Sequence, residues 1–100
     1  YVEDNPANLL LVEQIIADFP NMRMLSASDG HLGITMARTH RPDVILMDIN
    51  LPGINGFEAL DILRHDPKTS NIPILAISAK SVVKIALWSA MLLSNSFALR

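Results

Sequence analysis

Two unbroken apolar runs, Val44-Ile45-Leu46-Met47 and Ile74-Leu75-Ala76-Ile77, constrain the fold of this chain more than any other feature. Neither shows the polar alternation of a strand with one wet face, and the first reads as a strand covered on both sides. Their β-branched residues favour that reading. Covering both faces takes helices, and the sequence supplies them. Gly56 to Arg64 has helical spacing at Phe57, Leu60 and Leu63, and Asp66-Pro67 opens a polar loop behind it. Near the start, Asn5 suits the cap of a helix whose first position is Pro6, since the missing proline N–H would be unpaired there anyway. Leu9, Val12, Ile16 and Phe19 then make one apolar face, which predicts a helix from about Pro6 to Asp18, closed by Pro20. Met22 to Ser28 alternates loosely and is expected to be a strand. Asp29-Gly30 turns the chain, and Leu32, Met36 and Ala37 predict a short helix ending near His40, ahead of Pro42.

With the apolar stub Tyr1-Val2 as a first strand, the order β, α, β, α, β, α, β predicts an α/β fold. Its sheet is parallel, because parallel neighbours need crossovers and helices provide them. Val44 to Met47 is expected to be the central strand. Ligands in such folds sit beyond the carboxyl ends of the strands, where Glu3, Asp4, Asp48 and Ser78 all fall.

One hundred residues at 50% hydrophobic and 18% charged suffice for one small domain with a real core, and exclude a disordered chain. The net charge of −2, with no basic cluster, argues against direct contact with nucleic acid. The absence of cysteine excludes disulfides and thiolate metal sites and fits a reducing compartment. No charged-then-apolar leader precedes the first element, so a cytoplasmic location is expected. A start at Tyr1, inside a strand, reads as a fragment of something longer. All ten acids lie within residues 1–66, against four arginines there, whereas residues 67–100 carry only Lys68, Lys80, Lys84 and Arg100. The uncharged stretch Ile85 to Leu99 is broken by Ser89, Ser94, Asn95 and Ser96 and falls short of the roughly 20 apolar residues of a bilayer span. A buried helix is expected there, not a membrane anchor.

Asp48 ends one apolar run and opens the turn Ile49-Asn50-Leu51-Pro52-Gly53. If the sheet brings it to Glu3 and Asp4, three carboxylates share one solvent-facing crevice and repel one another. A cation is then expected, and Mg²⁺ suits best: it is a hard ion held by one or two carboxylates together with phosphate oxygens. Beside such an ion, Asp48 can attack a phosphoryl group as an oxygen nucleophile, and Ser78 can donate a hydroxyl to a phosphoryl oxygen. Each residue also has a plainer role. A lone Asp after a strand is usually a turn former, Glu3 and Asp4 can favour a helix N-terminus, and Ser78 can cap a helix. His31, His40 and His65 have no ligand spacing and read as solvated, the five methionines as core filler, and Trp88 as packing.

Val2-Glu3-Asp4-Asn5, the stretch Asp43 to Gly56, and Pro73 to Ala79 together resemble the receiver domain of two-component response regulators. The opening segment is similar to receivers attached to hybrid sensor kinases. The resemblance implies a flavodoxin-like, doubly wound parallel sheet of strand order 2-1-3-4-5, with the first strand truncated and the fifth lacking its usual signals. It implies one domain over residues 1–100, family-like through 79 and atypical over 80–100. It makes Asp48 the phosphoacceptor and Glu3 and Asp4 the acidic pair that holds Mg²⁺ with Asp48. Asn50 lends the metal a main-chain carbonyl, and Ser78 is the hydroxyl that closes on the phosphoryl group. The implied partners are a histidine kinase or histidine phosphotransfer protein, an attached output or kinase domain, and a second copy in a homodimer. The function is a phosphorelay switch that phosphorylates itself and is not a turnover enzyme.

The chain departs from the family in having no Lys-Pro pair. Lys80 is too near Ser78 to serve as the family lysine; Arg100 stands about where it is expected, and Phe97 about where a switching aromatic belongs. Arginine is a rigid fork and not a compact point charge. Two other readings follow: a degenerate receiver that binds partners without phosphorylation, and a Mg²⁺ phosphatase of the haloacid-dehalogenase type. The latter class carries a second Asp two positions after the first, where this chain has Asn50.

Overall fold

A computed structural model describes residues 1–78. Helix α1 (Pro6–Ala17) opens on Asn5, whose side chain accepts from the Ala7 amide, with Pro6 in the first turn and Asp18 as the C-cap. Helix α2 (Gly30–His40) is capped by Asp29, which accepts from the Leu32 amide. Strand β1 spans Ile45–Asp48. Helix α3 (Gly56–His65) begins with a reciprocal box in which Asn55 accepts from the Glu58 amide and Glu58 accepts from that of Asn55. Strand β2 spans Ile74–Ile77.

The strands β1 and β2 pair in parallel, Ile45 opposite Ile74 and Asp48 opposite Ile77. On the other side of β1, Val2 bridges Met47 in parallel and also bridges Ala27. Laterally the chain therefore runs Ala27, Val2, β1, β2, which is the first four places of the expected 2-1-3-4-5 order. The fifth place, with Lys80, Trp88, Phe97 and Arg100, lies outside the described residues.

Alternation along the strands divides the core between two faces. Val2, Ile45 and Met47 pack with Ile34 and Ala37 of α2 and Ala59 and Leu63 of α3. On the opposite face Ile77 packs with Val12 of α1, joined by Tyr1, Leu46 and Ile16. Helices thus cover both faces of a parallel sheet. Arg38 of α2 pairs with Asp66 at the end of α3, tying the two helices of one face. Among the described residues no helix is long and apolar enough to cross a membrane.

Several expectations need correction. Met22 to Ser28 is not a strand: only Ala27 forms a bridge there, and of that segment only Ala27 is buried. The facing segment offers little more than Tyr1 to Glu3 for pairing. Val44 lies outside β1 and is 47% exposed, while Asp48 is the strand's last residue and not the one after it. In the helices, Leu32 and Phe57 point outward; the buried positions are Gly30, Gly33, Ile34 and Ala37 in α2 and Gly56, Ala59 and Leu63 in α3. Small residues face the sheet because the helices lie close to it. Of the methionines, Met47 is core, Met24 and Met36 are half-buried, and Met22 is exposed. The three histidines are exposed as expected.

Gly56 shows how tight this packing is beside Asp48. A Cβ there would lie 2.5 Å from the Asp48 carbonyl oxygen and 2.7 Å from the Ile49 Cα, both backbone atoms that cannot swing aside. Gly56→Ala is therefore expected to destabilise the domain by about 1–3 kcal/mol, seen as a lowered midpoint in thermal denaturation.

Candidate functional site

Backbone pairing brings the acids together. The Val2 amide donates to the Leu46 carbonyl at 2.9 Å, and the Asp48 amide donates to the Val2 carbonyl at 3.0 Å. Glu3 therefore sits one step along from a residue locked to β1, and its amide donates to the Ala27 carbonyl at 2.9 Å. Carboxylate oxygens of Glu3, Asp4 and Asp48 all lie within 4.8 Å of one another. Glu3 is 3% and Asp48 8% exposed, while Asp4 faces solvent. The crevice is thus deeper than expected, with two of its acids buried and Asp4 at its exposed rim.

Each buried carboxylate has local donors. Glu3 Oε1 accepts from the Tyr1 hydroxyl at 3.0 Å and from Asn8 Nδ2 at 2.8 Å, and Oε2 accepts from the Asp4 amide at 3.1 Å. Asp48 Oδ1 accepts from the Asn50 amide at 3.0 Å, so Asn50 meets the site through its backbone. The turn beyond it passes through Gly53 at φ 74°, in the left-handed region that glycine favours. Ser78 is half-buried and directly follows Ile77, whose carbonyl accepts from the Ile49 amide at 3.1 Å. It therefore stands at the β2 end, one residue past the position paired with Asp48. Arg100 lies outside the described residues.

Burial is the main cause that pushes the Glu3 carboxyl above its ordinary range, and the neighbouring Asp48 adds in the same direction; the Asn8 and Tyr1 donors pull it back. The Tyr1 phenol is also raised, by burial first and then by its bond to Glu3 and the two carboxylate charges. The arrangement is a preformed, oxygen-rich cage under electrostatic tension, suited to a small hard cation. Tyr1 and Asn8 were not among the residues the sequence singled out. The signal for Tyr1 was present in the two-residue strand period, which puts it on the same face as Glu3.

The sequence profile of the response regulator receiver domain matches residues 1–92. Protein PilH of Pseudomonas aeruginosa is 34% identical over 87 residues, covering 87% of this chain and 71% of PilH. The polar-differentiation response regulator DivK of Brucella anthropi is 37% identical over 78 residues, 78% of this chain and 63% of DivK. Among solved structures, the Mn(2+)-bound form of response regulator Rcp1 superposes with a TM-score of 0.62 at 25% identity, covering 87% of this chain and 70% of Rcp1.

Because the native pKa of Glu3 lies above its unfolded value, folding takes up a proton between the two, so metal-free stability rises as pH falls through that window. Asp66 acts with the opposite sign. The Lys68 amide first, and then Arg38, hold it below the ordinary range, so its contribution is lost only at lower pH. In chelator, the protein is expected to melt a few degrees higher in mildly acidic than in neutral buffer. Glu3→Gln is expected to raise the neutral melting point and flatten the profile. Thermal denaturation across pH checks both.

Proposed function

The chain belongs to the response regulator receiver domain family, and on that premise we propose that it accepts a phosphoryl group on Asp48, from a phosphohistidine donor, in a Mg²⁺-dependent reaction. As a receiver it is a signalling switch of two-component systems. The observation that carries the finer reading is the convergence of Glu3, Asp4 and Asp48 oxygens within 4.8 Å at the carboxyl ends of parallel strands.

The donor set fits the ion: three carboxylates, a crowd of negative charge with one side open to water, and no soft ligand. Glu3, Asp4 and Asp48 would hold it with the Asn50 main-chain carbonyl. When bound, it neutralises charge on the phosphoryl oxygens. The chain's own residues do the rest. Asp48 Oδ1 is engaged by the Asn50 amide, leaving Oδ2 as the nucleophile. Its attack forms the oxygen–phosphorus bond and breaks the phosphorus–nitrogen bond of the donor, whose imidazole leaves and takes up a proton. Ser78, one residue beyond the strand position paired with Asp48, donates its hydroxyl to a phosphoryl oxygen and reports the new charge by moving toward it. Arg100 takes the place of the family lysine. The switch then biases a two-state equilibrium read by a partner, an attached domain or a second copy. The donor is a histidine kinase or phosphotransfer protein, the setting is cytoplasmic, and residues 1–100 act as one domain.

Incubation with acetyl phosphate and Mg²⁺ is expected to add the mass of one phosphoryl group, and the addition is expected to vanish with chelator or in Asp48→Asn. No addition to the native chain would favour a phosphorylation-independent interaction module. Sustained phosphate release at high turnover would favour a phosphatase.

A further inference from the structure

We propose that Tyr1 and Asn8 are positioning residues that restrict Glu3 to a single metal-facing oxygen, and so favour Mg²⁺ over larger divalent cations; this rests on the metal-dependent reading above. A carboxylate oxygen has two acceptor sites. On Glu3 both sites of Oε1 are taken, by the Tyr1 hydroxyl at 3.0 Å and Asn8 Nδ2 at 2.8 Å. Among the described residues Oε2 accepts one N–H bond, from the Asp4 amide at 3.1 Å, and keeps one site. Among the described donors, Glu3 thus keeps one lone pair to give an ion, and it is on Oε2.

The two donors arrive from independent elements. Tyr1 shares the strand face of Glu3, and its ring packs in the cluster formed with Val12, Ile16 and Ile77. Asn8 sits in the first turn of α1, which is anchored by the Asn5 cap and Pro6. A carboxylate gripped from two directions and 3% exposed cannot swing to present both oxygens. That matters because the two common hard cations differ in what they ask of a ligand. Mg²⁺ demands near-octahedral geometry with one oxygen per carboxylate, whereas Ca²⁺ takes more ligands and readily accepts both oxygens of one group. Fixing Glu3 as a one-oxygen ligand serves the first ion and withholds from the second an easy route to higher coordination. The same donors lessen the repulsion between Glu3 and Asp48 before any ion arrives, so the cage is built in advance.

The test is the rise in melting temperature of the full chain with MgCl₂ and, separately, CaCl₂, from which each ion's affinity follows by linkage. Tyr1→Phe removes one oxygen and Asn8→Ala one amide, and each variant's own melting point without metal gives its structural cost. Each is expected to weaken Mg²⁺ about three- to tenfold, the scale of one hydrogen bond to a charged group. Ca²⁺ is expected to change less or to strengthen, so the Mg²⁺/Ca²⁺ preference narrows, and to narrow further in the double variant. In a Glu3→Gln background the two substitutions are expected to have no further effect on that preference. Equal loss of both ions, or no loss of either, overturns the inference while leaving the receiver reading intact. Failure of the native chain to bind Mg²⁺ overturns that reading and this inference with it.

Discussion

Everything in the acidic site depends on Val2 and its two neighbours, a segment whose backbone is held from both sides. Val2 donates to Leu46 and accepts from Asp48 on one edge, while its neighbours Tyr1 and Glu3 bond the Ala27 backbone on the other. A parallel ladder leaves no latitude in register, because a one-residue slip would carry every side chain to the opposite face. With Val2 in the core, Tyr1 and Glu3 must lie on the α1 side and level with the end of β1. The meeting of Glu3 with Asp48 follows from backbone bonding and strand alternation.

That meeting costs energy. Two nearly buried carboxylates and a third at the rim repel, and the protein answers with neutral donors: the Tyr1 hydroxyl, the Asn8 amide, and the backbone N–H groups of Asp4 and Asn50. Neutral donors lessen the repulsion without cancelling the charge, which is why the Glu3 carboxyl remains raised in spite of them. Leaving part of the charge uncompensated keeps the site receptive to a divalent cation, at some expense of stability in its absence.

The sequence revealed the skeleton better than its faces. Helix starts were legible because Asn5-Pro6, Asp29-Gly30 and Asn55-Gly56 are local capping chemistry, decided within a few residues. Strands β1 and β2 were legible as strands because lack of alternation is a strong signal, although in β2 only Ile77 is buried. The loose run Met22 to Ser28 misled, since whether it pairs depends on how much strand faces it, which is a tertiary matter. Leu32 and Phe57 misled for a related reason. Apolar size suggests an inward face, yet close approach of helix to sheet selects Gly33 and Ala59, and the larger residues turn out. The acids of the site were readable from spacing and from the family pattern, whereas Asn8 was not. Its bond to Glu3 spans the turn from the first strand into α1, which neither the strand nor the helix period encodes.

The same logic explains why Asp48, the proposed nucleophile, stands on a strand end and not in a flexible loop. Asp48 is fixed at three points: its amide bonds Val2, its carbonyl oxygen packs against Gly56, and Oδ1 accepts from the Asn50 amide. The first point ties it to the segment that carries Glu3 and Asp4, and the second to α3. The third ties it to the turn that leads on to Gly53. Each uses main-chain atoms, so the position of the remaining oxygen is set by the fold itself and is largely indifferent to the identity of surrounding surface side chains. In-line attack, as proposed for Asp48, needs close placement of the reacting atoms, and a site defined by backbone can hold that placement.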